Sequence, residues 1–316
     1  MAPDHAVWVM DFRQLEQFVA VYEEGSFSKA ARRANCTQPG LSVQIRNLEA
    51  EFGVALFTRN RRGVSPTVAG KQLYARGLSI LNAVADTQIA VQELAGSVTG
   101  AITAGTVPSI SRSALPAALS RFTEAHPNVE LTLDEAYGGT LTERVAAGEL
   151  DFAVVTSAVS REGIEATLLA EHELALVSGP SSEFRPFERI RLRDVPPLRL
   201  VLPTARHAIR QMIDTQIARA ELQVESMIES DGLNTTLEYV RHSGWSTLTA
   251  VASVIDDADA GALIINPIVR PKAPVEYYLV RQTRRPLTGA AERFVDLLHD
   301  ELSAINDRWR TLVLGK

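Results

Sequence analysis

Cysteine is almost missing from this chain of 316 residues: Cys36 stands alone, which excludes a disulfide framework and any multi-cysteine metal site. No run of eighteen apolar residues occurs, so a membrane-spanning helix is not expected. The opening MAPDHAVWVM lacks a basic start followed by an apolar stretch, so it does not read as a secretory leader. Met10 directly precedes the first patterned helix, and residues 1–9 therefore read as an extension or a start placed too early. These absences together point to the cytoplasm. Catalytic signatures are missing as well. There is no Gly-rich phosphate loop, serine nucleophile elbow, His-x-x-x-His pair or cysteine cluster, so the expectation is a binding protein without a cofactor and without turnover. The acidic run Asp256-Asp257-Ala258-Asp259 lacks the glycine and distal glutamate of a calcium loop and reads as a solvated turn.

At 46% hydrophobic and 22% charged residues the chain is an ordinary globular one, and its length calls for two or three domains. The net charge of −6 is unevenly spread. Up to Gly100 there are ten basic and nine acidic residues, and the rest carries 22 against 29. A mildly basic head on an acidic body fits local contact with nucleic acid, with the body repelled from phosphate.

In the head, Phe12, Leu15, Phe18, Val19 and Tyr22 recur at helical spacing and give a first helix one apolar face. Gly25-Ser26 breaks it, and Ser26 caps a second helix carrying Ala30, Ala31 and Ala34. Thr37 is placed to cap a third helix with Pro39 in its first turn, where a missing N–H costs nothing. Leu41, Ile45 and Leu48 would point inward, while Gln38, Ser42 and Arg46 form a polar face able to read base edges or hold phosphate. A hairpin with Arg59, Arg61 and Arg62 follows, a wing suited to phosphates or the minor groove. The candidate DNA-contacting set is thus Ser26, Thr37, Gln38, Pro39, Ser42, Arg46, Arg59, Arg61 and Arg62.

This segment resembles the N-terminal domain of LysR-type transcriptional regulators. The likeness rests on Ser26-Phe27, Ala30-Ala31, Gln38-Pro39, Leu41-Ser42, Ile45, Leu48-Glu49, Gly53, Leu56-Phe57, Arg59, Thr67 and Ala69-Gly70. Two positions depart from the family pattern. Gly40 stands where alanine is usual and should slightly weaken the helix. Val43 stands where a polar or basic residue is common, and is expected to alter sequence preference while DNA binding persists. From Val68 to Leu94 no proline intervenes, and Leu73, Gly77, Ile80, Val84, Thr87, Val91 and Leu94 follow a heptad seam. The resemblance implies a linker helix that pairs two subunits, a homotetramer of such pairs, and a pseudo-palindromic double-stranded DNA site. Gly96 and Gly100 mark a hinge.

Beyond it, strands and helices alternate at short spacing, which argues a mostly parallel sheet. Leu115-Pro116, His126-Pro127, Leu141, Gly148 and residues 150–155 also resemble the family's effector domain, a two-lobed fold shared with periplasmic binding proteins. The expected fold class is therefore α/β with an N-terminal all-α winged helix-turn-helix and a two-lobed effector domain. Expected bounds are 10–67 for the DNA-binding domain, 68–97 for the linker, 98–170 with 275–305 for lobe 1, and 171–274 for lobe 2. Near residues 242–247 the family's Gly-x-Gly and Leu-Pro features are missing. Ligands of open sheets sit beyond the carboxyl ends of strands. That geometry selects Pro108, Ser109 and Ile110, then Gly139 and Thr140, then Thr204 and His207, with Trp245 at the far edge. The effector expected there is a small molecule such as a carboxylate or another small anion. The rival readings are a cytoplasmic solute-binding protein whose head contacts only proteins, and a regulator with a vestigial pocket.

Overall fold

The computed structural model describes residues 10–60, 63–93, 99–157, 161–219 and 221–314. Residues 1–9, Arg61, Arg62, Leu94 and Gly96 lie outside the described residues, as does the placement of the Arg59 side chain. Two compact units divide the chain near Val91.

The first unit opens with α1 (Phe12–Glu24), whose start is a capping box. The Asp11 side chain accepts from the Gln14 N–H at 2.7 Å, and the Gln14 side chain accepts from the Asp11 N–H at 3.1 Å. Gly25 ends the helix at φ 57°, a left-handed cap that glycine adopts without a Cβ penalty. Next come α2 (Phe27–Arg33), capped by Ser26, and α3 (Gln38–Phe52), capped by Thr37. The hairpin β1 (Phe57–Asn60) and β2 (Gly63–Pro66) follows, with Arg59 opposite Val64. Phe18, Ala30, Leu41, Ile45, Leu48 and Leu56 close one small core.

Glu49 fixes where the hairpin leaves α3: its Oε1 accepts the N–H groups of both Leu56 (2.8 Å) and Phe57 (3.1 Å). Glu49→Ala should cost about 1–3 kcal/mol, because two part-buried donors lose a charged acceptor. Urea unfolding of the two proteins checks it, and an unchanged midpoint would refute the role.

The long helix α4 (Val68–Glu93) corrects the heptad expectation. Its first half is occupied within its own unit, since Leu73, Tyr74, Leu78 and Leu81 pack on the small core. Tyr74 stacks on Tyr22 with centroids 3.8 Å apart. A Cβ on Gly77 would come within 2.6 Å of Leu15 Cδ1, so this glycine serves a close helix–helix approach. Ile80 and Val91 do remain exposed.

The second unit begins with β3 (Gly100–Thr106), α5 (Pro108–Arg112), α6 (Ala114–Ala125), β4 (Val129–Glu135), α7 (Gly138–Ala147) and β5 (Phe152–Val155). β3 pairs in parallel with β4 and β5. The long β6 (Ile164–Ser178) then crosses between two sheets. In the second lobe β7 (Ile190–Arg191), β8 (Leu198–Leu202), α8 (Ala208–Ala218), β9 (Val224–Glu229), α9 (Leu233–Arg241), β10 (Ser246–Ala250), α10 (Ile255–Ala260) and β11 (Ile264–Arg270) follow in order. The chain returns through β12 (Pro274–Gln282), antiparallel to β5 and to the first part of β6, and ends in α11 (Gly289–Leu314). β10 and β11 flank the last residues of β6. Phe122, Phe152, Tyr277 and Phe294 are fully buried in the lobe core.

Asp256–Asp259 is not a solvated turn. It lies in α10, and Asp257, 7% exposed, is held by Arg112 (3.0 Å) and Arg241 (2.7 Å). Among the described residues no helix is long and apolar enough to cross a membrane, and no cluster of acidic, His or Cys side chains could hold a metal.

Candidate functional site

On α3 the outward face comprises Gln38, Pro39, Val43, Arg46 and Asn47, all exposed. Thr37 accepts the Gly40 N–H at 3.3 Å and Ser26 accepts that of Lys29 at 3.5 Å, so both begin their helices as caps. Ser42 departs from expectation: it keeps helical step with Gln38 and Arg46 but is only 8% exposed. α3 packs against both α1 and α2. The Arg46 Nε–H donates to the Ser42 carbonyl at 3.3 Å, so neither Nη is used in that bond. A capped helix with an exposed polar face beside a hairpin is a shape that can enter a DNA major groove.

In the second unit a cavity of about 100 Å³ opens between the lobes at the carboxyl ends of β3, β4, β5, β8, β9 and β10. The first lobe supplies Pro108, Ser109, Tyr137 and Gly139, and the second supplies His207, Asp231, Thr236 and Thr247. Ser109, Thr236 and Thr247 are buried hydroxyl-bearing side chains. Ser109 Oγ accepts from the Tyr277 hydroxyl at 3.1 Å. Four expected residues therefore line the cavity: Pro108, Ser109, Gly139 and His207. Four do not. Ile110 is fully buried as a core residue, and Thr140 is exposed one step along α7. Thr204 acts through its backbone N–H, which donates to Asp231 at 2.9 Å. Trp245 packs between Tyr239 (6.1 Å) and the Arg199 guanidinium (5.8 Å).

Asp231 organises the mouth of the cavity and was invisible as a site residue in the sequence. Its carboxylate accepts from Arg206 Nη2 at 2.7 Å and from the Tyr137 hydroxyl at 2.9 Å, the latter reaching across from the first lobe. The Arg206 guanidinium also lies 4.6 Å from the Tyr137 ring centroid. Burial pushes the Asp231 carboxyl up, but hydrogen bonds from Thr204, Arg206 and Tyr137 outweigh it and hold it well below the usual carboxylate range. His207 sits edge-on to Tyr137 at 4.6 Å. Burial lowers its pKa, partly opposed by Asp231. Its Nε2 lies 3.3 Å from Asp231 Oδ1, within ion-pair reach when the ring is protonated, but has no hydrogen-bond partner among the described residues. Tyr137→Phe keeps the ring stack and removes the cross-lobe hydrogen bond. Amide exchange over residues 203–207 should quicken in that variant, and unchanged exchange would show that the bond does not hold the lobes.

A helix-turn-helix with a wing, followed by a two-lobed α/β unit with a cleft cavity, defines a ligand-responsive transcriptional regulator in its architecture. The chain belongs to the LysR family of such regulators. Residues 12–71 match the bacterial regulatory helix-turn-helix protein model of the lysR family, and residues 95–303 match the LysR substrate binding domain. It is 30% identical to the nitrogen assimilation regulatory protein nac of Escherichia coli over 72% of this chain and 73% of that protein. It is 28% identical to the HTH-type transcriptional regulator BbuR of Bordetella bronchiseptica, covering 94% and 91%. Among solved structures, a full-length OxyR variant from Pseudomonas aeruginosa shares the fold at a TM-score of 0.71 with 20% identity, covering 92% of this chain and 94% of that one. Full-length CbnR in complex with its target DNA shares it at a TM-score of 0.61 with 22% identity, covering 92% and 100%.

Proposed function

We propose that this regulator reads a pseudo-palindromic site with two copies of α3, and that a small effector in the inter-lobe cavity sets its DNA-bound arrangement. The observation that carries the reading is the cross-lobe cavity, closed by a residue of each lobe at Tyr137 and Asp231. An effector acts there only if it binds the alternative arrangements with unequal affinity. A carboxylate or another small anion suits the cavity, because α7, α8 and α9 all begin beside it. Neither His207 nor Gly232 supplies a side-chain cap to α8 or α9, so amides at these helix starts can face a ligand, apart from the Arg210 N–H, which donates to the His207 carbonyl at 3.1 Å. The residues proposed to contact it are Pro108, Ser109, Gly139 and His207, joined by Tyr137, Thr236 and Thr247.

Dimerisation through α4 is supported by its exposed Ile80 and Val91. A tetramer of such pairs, acting on DNA in the cytoplasm, completes the proposal. The domain bounds that go with it are those read from the sequence, with the linker beginning at Val68.

Gln38→Ala and Arg46→Ala are each expected to relax discrimination by about 1–3 kcal/mol per lost base contact. Arg61→Ala, in the wing, should weaken all duplexes together and reduce the salt slope by about 1. Fluorescence anisotropy on specific and scrambled duplexes separates these outcomes, and sequence-selective loss at Arg61 would contradict a phosphate role.

The experiment that tests the function is binding of the purified chain to its own upstream intergenic DNA and to a non-specific duplex, at two salt concentrations. A preference on the order of a thousandfold, with steep salt dependence, is expected. Equal and weak binding to both would favour a solute-binding role at that site.

A further inference from the structure

The polar side chains of α3 frame an apolar centre. Val43 is 43% exposed, four residues after Pro39, three before Arg46 and four before Asn47, and all of these are exposed too. Those spacings place it in the middle of the outward face, one turn from each neighbour. Gly40, one turn earlier, adds no side chain beside it, so the isopropyl group stands clear of the helix surface. A β-branched residue is a mediocre choice for an exposed helix position, and here it does not pack into the small core that Leu41, Ile45 and Leu48 fill.

In the major groove the one apolar feature that a base pair presents is the C5 methyl of thymine. We propose that Val43 reads a thymine methyl in each half-site, so that this regulator requires T·A where its isopropyl group meets the groove. The proposal rests on the reading of α3 as the DNA-reading helix. Gln38, Arg46 and Asn47 then supply hydrogen bonds around a methyl–isopropyl contact that excludes water and penalises C·G, whose cytosine lacks the methyl. The contact is non-directional, so it selects the methyl-bearing base without fixing an angle.

The test uses the full chain and the site that footprinting locates on its own upstream DNA. Each thymine in the footprint is replaced singly by deoxyuridine, which removes the methyl and leaves base pairing unchanged. One thymine per half-site should lower wild-type affinity about fourfold when demethylated, and about fifteenfold when both half-sites are changed. Val43→Ala should bind the thymine duplex as weakly as the wild type binds the deoxyuridine one, and should ignore the substitution. Val43→Thr keeps the branched shape and one methyl, and should retain part of the discrimination, which guards against a folding defect in the alanine variant. A footprint in which no thymine shows loss dependent on residue 43 would overturn the proposal while leaving the DNA-reading role intact. Finding no specific site at all would instead overturn that role and the proposal with it.

Discussion

Between pH 6.5 and pH 4 the protein is expected to lose about 3 kcal/mol of folding stability through one buried histidine. His172, on β6, is 1% exposed, with Nε2 3.0 Å from the Leu302 carbonyl of α11 and the Tyr277 ring edge-on at 5.3 Å. With the proton on Nε2 it donates to that carbonyl, and Nδ1 is left buried without a partner among the described residues. Burial lowers its pKa to about 4, only partly opposed by the backbone hydrogen bond. Above pH 6.5 the ring is neutral in both states and contributes no pH dependence. As pH falls below that value the unfolded chain takes up a proton that the folded chain refuses, so stability drops by about 1.4 kcal/mol per pH unit. The loss levels off below the folded pKa. Urea unfolding at several pH values should show this decline, superimposed on the titration of carboxylates. His172→Gln can still donate to Leu302 and cannot titrate, so its decline should be shallower by about the same 3 kcal/mol. Parallel curves for the two proteins would sink the assignment.

Asp257→Ala is the second large effect, on the order of 3 kcal/mol, because it leaves two arginines facing each other without their shared carboxylate. Arg112 comes from α5 in the first lobe, where it also donates to Asn234 Oδ1 and the Ser253 carbonyl, both at 3.1 Å. Arg241 comes from the end of α9 and reaches Asp257 Oδ1 at 2.7 Å. The carboxylate thus ties α5 to two elements of the second lobe. A thermal melt should shift down several degrees, and proteolysis near residues 110–113 should quicken. Asp257→Asn keeps the shape and some of the hydrogen bonds, so it should fall between wild type and the alanine variant. A melt of Asp257→Ala that matches wild type would mean the three charges are solvated and the pairing contributes nothing.

Much of the head was legible in the chain, and the reasons are local. Caps at Ser26 and Thr37, the glycine stop at Gly25 and the apolar spacing of α1 and α3 all act within a turn or two of helix. The strand–helix alternation of the second unit was legible for the same reason. Three readings failed where neighbours in space decide. Ser42 keeps helical step with Gln38 and Arg46 but is buried. Leu73 and Gly77 fit a heptad and yet face α4's own unit, Leu73 against its small core and Gly77 beside Leu15. Asp257 looked like one of several solvated carboxylates until Arg112, 145 positions earlier in the chain, was found beside it.

The amino-acid sequence by itself determined the element order, the family and the outward helix face that carries Gln38 and Arg46. Periodicity and capping chemistry need only near neighbours. The tertiary structure alone decided which loop residues form the cavity, since Tyr137 of the first lobe meets Asp231 and Arg206 of the second only across the cleft. It also decided that Trp245 and Ile110 turn away from that cavity. Side-chain contact between residues far apart in the chain depends on how β6 carries one sheet into the next, and no local pattern encodes that path.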